Sequence, residues 1–189
     1  MVDLDDKIYI QQVLDGKTSS FTHLVNKYKD MVFTVCYRIL KQQEDAEDTA
    51  QIVFMKAFNK LHSFKGDSKF STWIYTIAYR SAIAKTKLVK FQSTDDGLYI
   101  ETATEDTFPQ LEEMKSKEQK IYVQKAIDSL SEIDGVIITL FYIDESSIQE
   151  IIEITGLSES NVKVKLHRAR KQLKINLEEL LQQELKSII

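Results

Sequence analysis

One proline and five glycines in 189 residues leave this chain almost without the punctuation that strands and hairpins need. Apolar side chains recur instead mostly at spacings of three and four, the repeat that keeps one face of a helix turned toward a core. The expected fold is therefore all-α. A chain of 189 residues suffices for one large or two small domains. No apolar run approaches the roughly 18 residues a membrane-spanning helix needs. Met1 to Asp6 is acidic rather than a charged-then-apolar leader. A cytoplasmic protein without membrane insertion is expected.

Charge narrows the function. The net charge is −4, yet Asn161 to Lys174 carries Lys163, Lys165, Arg168, Arg170, Lys171 and Lys174 and no acid. Upstream, Ser146 to Ile154 reads as a short helix, Thr155-Gly156-Leu157 as a turn and Ser158 as the cap of the basic helix. Gly156 can take a positive φ without a Cβ clash, and Ser158 can accept a bond from the orphaned N–H near Asn161. Val162, Leu166, Ala169 and Leu173 would face Ile148, Ile151 and Ile152, leaving Asn161, Lys163, Val164, His167 and Arg168 outward. Such a helix-turn-helix presents its second helix to the DNA major groove. A basic run alone would more often be a solvated face; turn, cap and charge together favour nucleic acid.

Other chemistries lack their residues. Cys36 stands alone among Val32, Val35 and Leu40, as a small core hydrophobe would. His23, His62 and His167 have neither metal-ligand spacing nor a cysteine partner, so no metal is expected. Gly16-Lys17-Thr18 resembles the tail of a phosphate loop, but Gln11 occupies the first glycine's place and no apolar strand precedes it. No Ser, His and carboxylate set is spaced for nucleophilic catalysis. No cofactor and no enzymatic activity are expected.

Residues 92–119 are acidic, hold the only proline, Pro109, and show weak periodicity, as a linker would. The expected organisation is a helical domain over residues 5–90, an acidic linker over 91–119 and a second helical domain over 120–189, with the helix-turn-helix at about 147–171. In the first block a helix runs to Leu14, breaks at Gly16 to Ser20 and resumes at Phe21 to about Leu40, after which Asp45 can cap the next. That helix has a core stripe of Ala46, Ala50, Val53, Ala57 and Leu61 and a second stripe of Asp48, Gln51, Ile52 and Met55. Two striped faces fit either a partner or a neighbouring helix. After a loop at Ser63 to Lys69, Phe70, Trp73, Ile74 and Ile77 mark the inner face of a helix running to about Val89. Its outer face is expected to show Ser71, Thr72, Tyr75, Thr76, Tyr79 and Arg80, with Lys65, Lys69, Lys85, Lys87 and Lys90 nearby. Aromatics stack on bases and lysines hold phosphates, a combination suited to unpaired strands.

The run Asp45 to Phe54, followed by Phe64 to Tyr75, resembles region 2 of bacterial sigma factors, and the second block, with Leu130-Ser131 and Val162-Lys163 through Arg168-Ala169-Arg170-Lys171, resembles region 4. With only those two regions the chain is similar to the extracytoplasmic-function (ECF) group of the sigma-70 family. The resemblance implies a bacterial RNA polymerase subunit that directs core enzyme to promoters and promotes strand opening, with the polymerase performing the chemistry. It implies that Asp48, Gln51, Ile52 and Met55 face the clamp helices of the β′ subunit, and that Phe64, Lys65, Lys69, Ser71, Thr72, Thr76 and Arg80 meet the opened −10 element. It further implies that Ser158, Lys163, Val164, His167 and Arg168 meet the −35 element, that region 4 docks on the β flap, and that an anti-sigma factor is a possible partner. Arg80 stands where many relatives have Asn, and Ile52 where an acid is common. A DNA-binding regulator and a purely helical interaction protein are the competing classes; neither explains both the Asp48/Gln51 face and the stacking strip.

Overall fold

The computed structural model describes residues 3–90 and 117–188. Among these residues there are eight α-helices and no strand: α1 Leu4–Leu14, α2 Phe21–Leu40, α3 Gln43–Asn59, α4 Phe70–Lys90, α5 Lys117–Asp128, α6 Glu132–Tyr142, α7 Ile148–Thr155 and α8 Glu159–Ile188. The all-α expectation holds. Residues 91–116, most of the expected linker, lie outside the described residues. The chain divides into two compact units, with α1 to α4 in the first and α5, α6 and α8 in the second.

In the first unit α2, α3 and α4 pack on one another and α1 lies against α2. Leu24, Val32, Val35, Cys36, Ala46, Val53, Ala57, Phe70 and Ile74 are inaccessible to solvent. Each large apolar side chain so buried contributes about 1.5–3 kcal/mol relative to exposure. The expected α3 core stripe, Ala46 through Leu61, is buried throughout. Its small residues allow close approach of the helix backbones. α1 is held by charge as well as apolar contact: the buried Asp6 carboxylate accepts from Tyr28 Oη at 2.5 Å and Lys27 Nζ at 2.8 Å.

Two expectations are corrected here. Asp45 does not cap α3, whose N-cap is Gln42. Lys41 turns left-handed, φ 58°, and ends α2, so the next helix begins before Asp45 is reached. Asp45 instead pairs with Lys85 of α4 at 2.6 Å. The outer face of α4 also differs from expectation: Thr72, Tyr75 and Tyr79 are buried, at 2%, 3% and 7% exposure, whereas Trp73 is only half-buried. Contact with both α2 and α3 buries a wider arc than an apolar stripe facing a single neighbour. The tyrosines turn inward and Trp73 moves to the rim.

In the second unit α6 is mostly apolar, with Val136, Ile137, Ile138 and Leu140 fully buried between α5 and α8. Asn176 of α8 donates to Ser129 Oγ at 2.6 Å and to the Ala126 carbonyl at 3.3 Å, fastening α8 to the end of α5. The linker expectation reached residue 119, but helix α5 already begins at Lys117.

Candidate functional site

On α3, the face opposite the core stripe presents Asp48, Gln51, Ile52 and Met55, all exposed, with Ile52 at 45% and Met55 at 65%. The i, i+3, i+4 and i+7 spacing sets them in one row. No described residue covers Ile52 or Met55, so the neighbouring-helix reading of this stripe fails within the described structure. A carboxylate, an amide, a stiff β-branched side chain and a flexible methionine make a surface able to bind both the apolar and the polar parts of another helix.

On α4, Trp73 and Thr76, half-buried, and Arg80 and Ala84, exposed, follow one another along the outer side of the helix. With Lys56 and Lys60 of α3, Ser63, Ile77 and Ser81 they line a groove of about 340 Å³. Lys56 Nζ donates to Ser81 Oγ across it at 3.0 Å. Arg80 is exposed and projects at its rim. Trp73 is fixed by rings at 5.3 Å from Phe64 and 5.5 Å from Phe70, and Phe64 in turn meets Phe70 edge-on at 5.5 Å. Phe64 thus anchors the start of the loop to α4, leaving Lys65 and Lys69 exposed beyond it. Of the residues expected to meet the −10 element, Phe64, Thr76 and Arg80 gather near Trp73. Ser71 is half-buried, and Thr72 is withdrawn into the interior. Lys56, Lys60, Ser81 and the rim position of Trp73 were missed, although the i, i+4 spacing of Lys56 and Lys60 was a readable sign.

The turn and the cap of the helix-turn-helix are those the sequence indicates, although α7 begins at Ile148 rather than Ser146 and only Ile151 of the three expected α7 core residues is fully buried. Ser147 and Glu150 form a reciprocal capping box on α7, with Glu150 N to Ser147 Oγ at 3.2 Å and Ser147 N to Glu150 Oε2 at 2.9 Å. Gly156 has φ +73°, and Ser158 Oγ accepts from Asn161 N at 3.3 Å. Val162, Leu166, Ala169 and Leu173 are buried; Asn161, Lys163 and Arg168 are exposed, and Val164 and His167 half-exposed. The basic face carries internal partners that the sequence reading did not include. Lys163 pairs with Glu159 at 2.9 Å. Arg168 and Lys165 both reach the Asp134 carboxylate of α6, at 2.8 and 3.5 Å. The Arg170 guanidinium lies 5.1 Å from the Phe141 ring centre. An acid set among the apolar residues Ile133 to Tyr142 was the available sign of Asp134.

Among the described residues no His, Cys, Asp and Glu group could hold a metal ion, and no helix is long and apolar enough to cross a membrane. What remains is a set of three surfaces: the mixed polar and apolar row on α3, the cationic groove with an indole at its rim, and the basic face of α8.

Residues 24–86 match the sigma-70 region 2 family and residues 111–173 the sigma-70 region 4 family. The chain is 33% identical to the ECF RNA polymerase sigma factor SigW of Bacillus subtilis, covering 90% of this chain and 96% of that protein. It is 31% identical to the ECF RNA polymerase sigma-E factor of Escherichia coli K12, covering 94% and 97%. The sigma factor RpoE of Bartonella quintana, solved in complex with the anti-sigma factor NepR, shares the fold with a TM-score of 0.64 at 22% identity, over 84% of this chain and 96% of that one. The chain belongs to the ECF sigma factors of the sigma-70 family. Members of this family are regulatory subunits that direct core RNA polymerase to specific promoters, and that is the role of this chain.

Proposed function

We propose that the three surfaces divide the work of initiation. Asp48, Gln51, Ile52 and Met55 receive the β′ clamp helices. Trp73, Thr76, Arg80, Lys56 and Lys60, with the Lys65 and Lys69 loop, hold the opened −10 strand. Ser158, Lys163, Val164, His167 and Arg168 face the −35 element. The first domain spans residues 5–90 and the second begins with α5 at Lys117, the acidic segment between them joining the two.

The observation that carries this reading is the α3–α4 groove, where an indole fixed at the rim stands beside a row of cations. Duplex DNA offers such a groove only phosphates. An extruded base offers an aromatic face as well, and stacking contributes about 1–3 kcal/mol per base. Separating a base step costs a few kcal/mol, so capture of the opened strand offsets the cost of opening and needs no nucleotide hydrolysis. The chain is accordingly a cytoplasmic, non-catalytic subunit. An anti-sigma protein, of the kind named with RpoE of Bartonella quintana, is a fitting regulator because masking these surfaces would block assembly.

The test is reconstitution. Purified chain added to bacterial core polymerase is expected to confer promoter-specific transcripts. Asp48→Ala with Gln51→Ala should abolish retention of core enzyme while leaving the helical content intact. Full retention by that double variant would refute the α3 assignment.

A further inference from the structure

We infer that Asp134 is a positioning residue for promoter reading: from inside the second unit it holds Arg168 in a fixed pose for a base edge and cancels part of the positive charge that would otherwise attract any phosphate. This rests on the assignment of α8 to the −35 element.

Asp134 lies in the first turn of α6 and is 5% exposed. One oxygen accepts from Arg168 NH2 at 2.8 Å, and the other lies 3.5 Å from Lys165 Nζ. Its backbone N–H donates to Ser131 Oγ at 3.4 Å, so the carboxylate is carried by a capped helix end rather than a mobile loop. The two cations differ in what they leave outside. The Lys165 side chain is 15% exposed and faces this carboxylate across 3.5 Å without a hydrogen bond, whereas the Arg168 side chain is 56% exposed. A guanidinium has five N–H donors in a rigid fork; Asp134 occupies one side and leaves others facing outward.

An arginine reading guanine must align two donors with O6 and N7, and a side chain already fixed loses little freedom in doing so. Lys163 makes the contrast. Its partner Glu159 lies on the same helix face, and both side chains are more than half exposed, at 54% and 64%. Such a pair exchanges readily with a phosphate. The buried carboxylate cannot be displaced in this way, because DNA does not reach it. Asp134 therefore stays with Arg168 in the complex.

The experiment uses the full chain with core polymerase and a duplex library randomised over both promoter elements, with the transcribed sequences counted. Wild type is expected to select a base pair that Arg168→Ala no longer selects. Asp134→Asn should reduce that preference roughly five- to tenfold at the same base pair and leave the −10 preferences unchanged. In the Arg168→Ala background it should change nothing further. The free Asp134→Asn chain should bind random duplex more tightly, with a salt slope steeper by about one ion. A merely structural role would instead lower selection across the whole element and in both backgrounds, and that result overturns the inference, as does an unaltered preference in Asp134→Asn. A wild-type enzyme indifferent to the upstream element would overturn the assignment of α8 and the inference with it. Where the amide variant loses its cooperative thermal transition, Asp134→Ser, which keeps a small polar group in the first turn of α6, takes its place with the same expected and overturning results.

Discussion

Asp6 is 2% exposed, and a carboxylate so placed is tolerated only because its lone pairs are filled. Tyr28 and Lys27 fill them, and Lys27 also bridges to Asp3 at 2.7 Å. The pair sets an alkaline limit on the first unit. Burial, then the bond to Asp6, pushes the Tyr28 phenol above its ordinary 10.0. Burial opposes the charge on Lys27, but bonds to Asp3 and Asp6 outweigh it and push that group above 10.5. Burial pushes the Cys36 thiol from 9.0 to about 12. All three bind their protons more tightly folded than unfolded, so the unfolded state releases protons first as pH rises, and stability falls with pH from about 9 upward. Urea unfolding at a series of pH values should show this decline, and Tyr28→Phe should flatten it while costing about 1–2 kcal/mol at neutral pH from the lost bond. A stability independent of pH above 9 would contradict the assignment of these shifts to the folded state. At the groove the residues separate differently. Arg80 is exposed and bonded to none of the described residues, so Arg80→Ala should move stability by less than about 0.5 kcal/mol. The same change should weaken permanganate reactivity of thymines in the opened −10 region. Trp73→Ala should lower both stability and opening, because that ring also packs on Phe64 and Phe70.

At the scale of elements, the turn into α8 concentrates the local determinants. The space around Gly156 is open to an added Cβ, with no atom within 4 Å, so Gly156→Ala pays only for the left-handed backbone, about 1–2 kcal/mol. Ser158→Ala should cost about 1 kcal/mol by orphaning the Asn161 N–H. Denaturant midpoints of the two variants would check both, and an unchanged midpoint for Gly156→Ala would show that the turn relaxes. These determinants were legible because each acts within four residues. The core stripes of α3 and α8 were legible for the same reason: spacing reports the direction in which a helix faces. Spacing does not report how wide an arc is covered. α4 touches two helices, and that hid Tyr75 and Tyr79 while placing Trp73 at the rim. Nor does it report partners distant in sequence. Asp134 lies far along the chain from Arg168, and the start of α3 was set by a left-handed Lys41 with no glycine to signal it.

For the whole molecule, charge placement matters more than charge total. The net charge is −4, and the basic face of α8 is itself discounted by Glu159, Asp134 and, at 4.0 Å from Lys174, Glu178. Affinity for random duplex grows with the number of phosphates a surface neutralises, and the logarithm of binding falls with that of salt by about 0.9 per phosphate. A surface whose cations are already half-neutralised engages few phosphates by itself. Two such weak surfaces gain when a larger body holds them at promoter spacing, because the second contact then forms at an effective concentration rather than from bulk; gains of about 10²–10⁴ are usual for linked sites. Promoter selectivity is therefore expected to belong to the holoenzyme. Fluorescence anisotropy with a promoter duplex and a scrambled one, at graded salt, should show the free chain binding both weakly and alike. With core polymerase present the promoter should be preferred by at least about a hundredfold. If the free chain discriminated between the two duplexes as sharply as the holoenzyme does, the internal acids would have no such effect, and the selectivity would have to reside in one unit acting alone.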